Sequence, residues 1–289
     1  GSRGSKLSLA YANKVKNLLS GLDSINGKTI AVKTIKTSGD SFQYKKISEI
    51  GGKNLFCKEI EDKLISKEID IAVHSLKDLD SIETKGLVIQ AYIKRNDPRE
   101  SFVSKKFNKL SELNNAKIGS SSKRRELQLK LLNQNIRVEN IRGNVDTRIK
   151  KIENGEYDGA VLALAGLKVL NLENYVKEIF SIKDFIPTAG QGIIAAQCRE
   201  DDGLIKKILK KINHKETEIC ALTERNFLKT LGGDCETAVG CSAFLNKEKI
   251  ELNVQLFSDD GKRVFNLVKF GKISEPELLG KLAGQEILK

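Results

Sequence analysis

Histidine is scarce in this chain of 289 residues: His74 and His214 are the whole complement, too few and too far apart for a histidine-rich metal centre. Five cysteines, Cys57, Cys198, Cys220, Cys235 and Cys241, make an odd number without a CxxC pair, so neither a disulfide framework nor a zinc site is indicated, and no metal is expected. A reducing compartment, the cytoplasm, fits that usage. No window approaches the about 18 apolar residues of a membrane span, and the opening GSRGSKLSLA has no charged segment followed by an apolar signal core. Neither a membrane nor a secretion route is expected. Aromatic residues are only 6% and do not interleave with basic ones, so a stacking platform for nucleic acid is missing although the net charge is +12. Scattered lysine carries most of that charge and reads as solvated surface.

What the chain does contain is 39% hydrophobic and 30% charged residues, enough at this length for two or three domains of about 100 to 150 residues each. The most informative stretch is EIDIAVHSLKDLD, Glu68 to Asp80, where the apolar run Ile69, Ile71, Ala72, Val73 stops at His74, Ser75, Lys77 and Asp78. A strand that delivers polar groups at its carboxyl end sits where open α/β sheets bind ligands. The same residues equally suit a solvated turn, since charged loops after strands are common. Leu7, Tyr11, Val15, Leu18 and Leu22 recur at helical spacing and predict an amphipathic helix ending near Gly21 or Gly27, preceded by Arg3 and Ser5 in a Gly-flanked turn. Thr29 to Ile35 reads as a strand, Lys36 to Lys46 as a polar loop, and Leu55, Phe56, Ile60 and Leu64 as one face of a helix opened by Gly51 and Gly52. Leu87 to Ile93 is a further apolar strand. Alternating strands and helices argue a parallel or mixed α/β sheet.

Lys94 to Glu100, KRNDPRE, and Pro187 to Gly192, PTAGQG, hold two of the three prolines and read as crossings between domains. Between them Ser101 to Ser104, Lys117 to Ser120, Asn135 to Ile141 and Asp158 to Leu164 are strands of a second α/β set. Two of these run into helix starts, one bearing Ser121, Ser122, Lys123, Arg124 and Arg125, the other Arg142, Gly143 and Asn144. Backbone N–H groups at a helix start attract anions, hydroxyls add donors, and arginine grips a carboxylate or phosphate through two parallel hydrogen bonds. Two such corners make a cradle for a polyanion. Serine caps beside surface arginines are the plainer alternative. Beyond the second crossing Ile193 to Ala196 returns as a buried strand toward Cys198, and helices follow at about Gly203 to Asn213 and Glu216 to Leu231. Thr237 to Phe270 alternates as three strands, with turns at Asn246 to Glu248 and Ser258 to Gly261, before a closing helix, Glu275 to Leu288. The expected fold is α/β: a discontinuous lobe over 1–94 and 192–213, a second over 99–187, both with mixed sheets, and a small C-terminal α+β domain over 215–289 with a three-stranded antiparallel sheet. In LGGDCETAVGC, Cys235 follows two glycines in a loop, where a thiol is accessible and nucleophilic. A passive thiol, or a cysteine hydrolase without an evident histidine partner, are the other readings.

Taken in order, DIAVHSLKD, GSSSKRRE, RGNVDTR, NGEYDGAVLALAGLK, AGQG and LGGDC resemble the porphobilinogen deaminase (hydroxymethylbilane synthase) family, and the resemblance runs from Arg3 to the end. It implies lobes like those of bilobal periplasmic-binding proteins and a transferase of tetrapyrrole biosynthesis. Such an enzyme joins four porphobilinogen molecules head to tail, loses ammonia each time, and frees linear hydroxymethylbilane with water. The resemblance further implies a dipyrromethane cofactor bound by a thioether to Cys235, and Asp78 as the catalytic carboxylate that stabilises positive charge on pyrrole nitrogens. Lys77 and Ser75 are implied to meet acidic groups or polar atoms of cofactor and substrate. Arg3, Ser5, Ser120, Ser121, Ser122, Arg124, Arg125, Arg142, Arg148 and Gln191 match positions that line the cleft and hold carboxylates. His74 is left structural, and the protein is expected to act as a monomer without nucleic acid or membrane. The chain departs from the family pattern at Val169, where arginine is common, at Lys6, where proline is usual, and at Asp234 and Ala238, in place of glycine and proline. A non-catalytic bilobal receptor for small polycarboxylates accounts for the arginines but not for Cys235, and a nucleic-acid binder accounts for the charge but not for Asp78 among basic residues.

Overall fold

The computed structural model describes residues 1–25, 27–41, 57–232 and 237–289. Helix α1 (Lys6–Ser20) starts where Ser5 Oγ accepts from the Ser8 N–H at 3.1 Å, and its buried face is Tyr11, Ala12, Val15 and Leu19. That face lies on a three-stranded sheet of order β3 (Ala72–Ser75), β10 (Ile194–Arg199), β4 (Leu87–Tyr92), antiparallel throughout. β10 is buried along its whole length because both of its faces are covered. Ile194, Ala196 and Cys198 share a cluster with α1 and with Ile208 and Leu209 of α7 (Gly203–Lys210), whereas Ala195 turns to a second cluster with Leu76, Ile89 and Tyr92. α3 (Lys58–Ile65) packs Ile60 and Leu64 against Ala72 and Leu87. Each such side chain, fully buried, stabilises by about 1.5–3 kcal/mol.

The strand expected over Thr29 to Ile35 shrinks to β2 (Thr34–Ile35), paired in parallel with β1 (Ser2–Arg3). Ile30 and Val32 pack beside the α1 cluster, but only Thr34 and Ile35 find a ladder partner, so the apolar pattern is satisfied without extending the strand. Ser38–Ser41, expected within a loop, is the short helix α2. The opening of the helix expected from Gly51, with Leu55 and Phe56, lies outside the described residues.

The second lobe carries a mixed five-stranded sheet of order β7 (Arg137–Glu139), β6 (Lys117–Gly119), β8 (Gly159–Ala163), β5 (Glu100–Ser104), β9 (Val176–Ile179). β6 runs parallel to β7 and β8, and β5 antiparallel to β8 and β9. Parallel neighbours need a crossover, and the two supplied are α4 (Lys123–Leu132) and α5 (Val145–Glu153), whose N-termini come to one end of the sheet. α6 (Leu164–Val169) follows β8 directly and meets α1 of the first lobe.

In the C-terminal part, α8 (Lys215–Leu231) and α9 (Pro276–Ile287) pack on one face of an antiparallel sheet, β11 (Val239–Asn246), β12 (Lys249–Phe257), β13 (Val264–Lys272), as the alternation predicted. Gly280 makes the helix pair possible, since a Cβ there would lie 2.2 Å from the Thr223 carbonyl oxygen. The two crossings and the C-terminal part meet at a buried ion pair. Arg95, on the first crossing, reaches Glu224 of α8 at 2.6 Å and donates to the Gln191 carbonyl at 2.9 Å, while Glu224 accepts from the N–H groups of Gly190 at 2.6 Å and Ala243 at 2.7 Å. A buried carboxylate is tolerable when charge and lone pairs are both satisfied, as they are here. Among the described residues no helix is long and apolar enough to cross a membrane.

Candidate active site

Asp78 reaches solvent because the strand before it stops. β3 ends at Ser75, opposite Ile194, and Leu76–Asp78 winds into a 3-10 turn. Leu76 is the anchor: it is buried beside Ile89, Tyr92 and Ile193, and its N–H donates to the Ile193 carbonyl at 3.0 Å. With Leu76 turned inward, Lys77 and Asp78 face a cleft of about 300 Å³ that both lobes line. The first lobe adds Arg3, Ser5, Lys6, Tyr11 and Ser75, the second adds Ser121, Arg125, Arg142 and Arg148, and the second crossing adds Gln191. Six cations, Arg3, Lys6, Lys77, Arg125, Arg142 and Arg148, therefore face two carboxylates, Asp78 and Asp146, an excess that suits a ligand with several negative charges. Lys6 and Asp146 pair with each other across the two lobes at 3.5 Å.

The electrostatics follow from enclosure. Burial, reinforced by Arg125 and Arg142, pushes the Arg148 guanidinium down to about 10, and an anion in the cleft would relieve it. Burial likewise lowers the Lys77 ammonium from its ordinary value, with Asp78 opposing. Tyr11 is pushed up to about 12, by burial first and by the Asp78 carboxylate second, so it stays a neutral phenol at physiological pH. Gln191 is wholly buried; its Nε2 donates to the Pro98 carbonyl at 2.8 Å, and its Oε1 has no hydrogen-bond partner among the described residues. An acceptor left bare in an interior is unusual and calls for a donor. Ser121 Oγ donates to the Ile141 carbonyl, and Arg148 Nε donates to the Gly143 carbonyl at 2.9 Å, so the two strand-to-helix corners brace each other and themselves.

Ser120, Ser122 and Arg124 do not line this cleft. Ser120 is buried and braces its own loop through Ser122, and Ser122 Oγ caps α4. Ser122 and Arg124 line a neighbouring cavity of about 90 Å³ with Thr188, Gly190 and Thr237, and Lys77 belongs to both spaces. Arg124 and Arg125 converge on Glu100: Arg124 Nη2 lies 2.7 Å from Oε1, Arg125 Nε 3.0 Å from Oε1, and Arg125 Nη2 2.9 Å from Oε2. Burial alone would raise the Glu100 carboxyl, but Arg125 and Arg124 override it and hold it at about 2. Arg124 also donates through Nη1 to Gln128 Oε1 and the Ile186 carbonyl, and it lines the smaller cavity, whereas Arg125 lines the larger cleft. Cys235 lies outside the described residues. His74 is buried and hydrogen-bonded to Gln197 Oε1 at 3.2 Å; because Gln197 Nε2 donates to Glu61, His74 Nε2 carries the proton, and burial pushes the imidazole down to about 4.

Sequence reasoning misses Glu100, Glu224 and the placement of Tyr11. Glu100 falls within a charged crossing and carries no spacing signal of its own. Glu224 does carry one: it stands at core-facing spacing between Cys220 and Phe227 on α8, where a carboxylate has to have a partner. Tyr11 reads as a core residue, and its ring is one, yet it also borders the cleft beside Asp78.

Residues 1–207 match the family profile "Porphobilinogen deaminase, dipyromethane cofactor binding domain", and residues 218–289 match "Porphobilinogen deaminase, C-terminal domain". The porphobilinogen deaminase of Nitrobacter winogradskyi is 38% identical over 288 residues, 99% of this chain and 91% of that one. That of Ehrlichia chaffeensis is 41% identical over 261 residues, 90% of this chain and 87% of that one. Among solved structures, a lipoprotein of the YaeC family from Enterococcus faecalis has a TM-score of 0.43 at 15% identity, covering 71% of this chain and 88% of its own. A TRAP periplasmic solute binding protein from Desulfovibrio salexigens has a TM-score of 0.44 at 11% identity, covering 75% and 71%.

Proposed function

Since the chain belongs to the porphobilinogen deaminase family, we propose that it performs that family's reaction in the cleft built around Asp78. It is a transferase of tetrapyrrole biosynthesis, a hydroxymethylbilane synthase: four porphobilinogen molecules are joined head to tail, ammonia leaves at each addition, and water releases linear hydroxymethylbilane. The matched domain is one that binds a dipyrromethane cofactor, which when bound supplies the free pyrrole carbon to which the first substrate is joined. The residues fit such a group. Pyrroles bearing acetate and propionate bring carboxylates to the cation excess and N–H donors to the bare Gln191 Oε1.

Cys235 is the attachment residue. Lys77, Ser122 and Arg124 border the cavity that also includes Thr237, two positions beyond Cys235, and would hold cofactor carboxylates there, with Ser120 shaping the loop behind them. Arg3, Ser5, Ser75, Ser121, Arg125, Arg142 and Arg148 would hold the acetates and propionates of substrate and growing chain in the larger cleft. Asp78 is the catalytic carboxylate. As the bond to ammonia breaks, positive charge develops on the substrate pyrrole, and a fixed carboxylate in a cleft of reduced dielectric stabilises it, accepting the pyrrole N–H meanwhile. The observation that carries this reading is the position of Asp78 at the wall of a cleft dominated by cations, where a ligand held by its acids can present its ring to a carboxylate able to stabilise a cation. We read the chain as three domains, 1–94 with 192–213, 99–187 and 215–289, acting as a monomer in the cytoplasm with no nucleic-acid or membrane partner. The four described cysteines support that compartment, being free and buried.

The test is turnover of porphobilinogen, followed by loss of Ehrlich-reactive monomer and release of ammonia, with intact mass reporting the covalently loaded protein. Asp78→Asn should lose turnover by about 100-fold or more while still taking up the cofactor. Near-normal turnover in that variant would remove Asp78 from its role, and binding of porphobilinogen without consumption by the loaded parent would leave the receptor reading instead.

A further inference from the structure

The turn that presents Asp78 is three residues of 3-10 helix, closed by the Leu79 N–H to the Leu76 carbonyl at 3.2 Å. Such a turn is a weak element by itself. Its far end, the Asp78 carbonyl, is held by a group from elsewhere in the chain: Cys57 Sγ, 3.2 Å away and 21 positions earlier. Resting on the reading of Asp78 as the catalytic carboxylate, we propose that Cys57 is its positioning residue, the thiol donating to the Asp78 carbonyl and fixing the direction in which the carboxylate projects.

Three observations support this. Cys57 is the N-cap of α3, a position where a polar side chain ordinarily accepts from the helix's own first N–H groups, yet it makes no cap bond; its side chain is turned to Asp78 instead. The residue is 1% exposed and rides on a helix fixed by Ile60 and Leu64, so the donor is held on the rigid packing of the first lobe. The surroundings keep the donor in its donating form. Burial raises the thiol well above its ordinary value, the carboxylates of Asp78 and Glu61 add to that, and Arg3 only partly opposes them. The thiol is thus a fixed S–H rather than a nucleophile. A void of about 20 Å³, lined by Cys57, Tyr11, His74, Ser75 and Asp78 among others, adjoins the contact and gives the turn somewhere to move once the thiol is gone.

The test compares Cys57→Val, which removes the donor at similar size, with Cys57→Ser, which restores one. C57V should lower kcat about 5- to 10-fold with KM within about twofold of the parent, and C57S should recover most of the loss. Hydrogen–deuterium exchange of peptides spanning residues 76–82 reads the turn whatever Asp78 does: exchange should quicken in C57V and return toward the parent in C57S. Unchanged exchange and unchanged kcat in C57V would overturn the proposal, and so would equal losses in valine and serine variants. Should C57V fold poorly by thermal melt, Cys57→Ala carries the same comparison. An active Asp78→Asn enzyme would instead remove the catalytic reading while the exchange experiment still decides whether the thiol holds the turn.

Discussion

Replacing Glu100 by glutamine leaves two buried guanidiniums, Arg124 and Arg125, without the carboxylate they share, at nearly unchanged volume. The side chains of Arg124 and Arg125 are 5% and 10% exposed and that of Glu100 is 0% exposed, so water cannot take over the lost charge. Breaking a buried pair from one side costs about 3–5 kcal/mol. Protonation gives a second route to the magnitude. The Glu100 carboxyl is held at about 2 against an ordinary 4.5, a gap worth about 3 kcal/mol at about 1.36 kcal/mol per pKa unit. Because the folded-state value is the lower one, this stabilisation is fully present above the unfolded value of 4.5 and is lost as the pH falls from there through about 2. Urea denaturation followed by circular dichroism should show a much lower midpoint for E100Q at about pH 7, and the gap between variant and parent should narrow at about pH 3.5. Adding Arg124→Met to E100Q should recover part of the loss, since one uncompensated charge leaves with it. A destabilisation below about 1 kcal/mol at neutral pH, the size of an exposed pair, or a gap independent of acidity, would refute the assignment of Glu100 as the shared counter-ion.

Thiol chemistry should be confined to one residue. Burial pushes Cys198 up to about 11 and Cys220 up to about 12, and raises Cys57 and Cys241 well above the ordinary range, so iodoacetamide on the native, unloaded protein near neutral pH should label Cys235 and leave these four untouched, as peptide mass mapping would reveal. Rapid native labelling of any of the four would contradict their enclosure. Gly190→Ala should cost activity at a distance from the chemistry: its φ is +73°, and a Cβ would lie 2.9 Å from the Lys77 nitrogen, so the turn bearing Asp78 has to shift. A drop in kcat of about 10-fold or more is expected, and parental kinetics would show that the crossing tolerates the displacement.

Much of this arrangement is legible in the sequence wherever a pattern repeats along the chain. The alternation after Thr237 predicts three strands and their turns because each inward side chain is packed by α8 and α9, and the halt of the apolar run at His74 predicts where Asp78 emerges. Thr29 to Ile35 fails for a physical reason: apolar alternation reports burial, and Ile30 and Val32 are half-buried against α1 without a strand beside them. The arginine corners are readable as cations but not as individuals. Nothing in SSSKRRE distinguishes Arg124, which grips Glu100, Gln128 and the Ile186 carbonyl beside the smaller cavity, from Arg125, which grips Glu100 beside the larger cleft. That distinction depends on Glu100, on a strand that the local sequence does not connect to α4.

The pair of Arg95 and Glu224 ties the outgoing and returning passes of the chain to one carboxylate, through Arg95 itself and through the Gly190 N–H. Two passes pinned side by side behave as a pivot. Rotation of one lobe about it would leave the pair intact, whereas sliding would break it. Displacement from a pivot grows with the length of the lever. Asp78 stands at the short end, its turn pressed against Gly190, and Lys6 with Asp146 bridges the lobes on the side of α1 and α5. Rotation about the pair would enlarge the cleft away from it while moving the turn that bears Asp78 least.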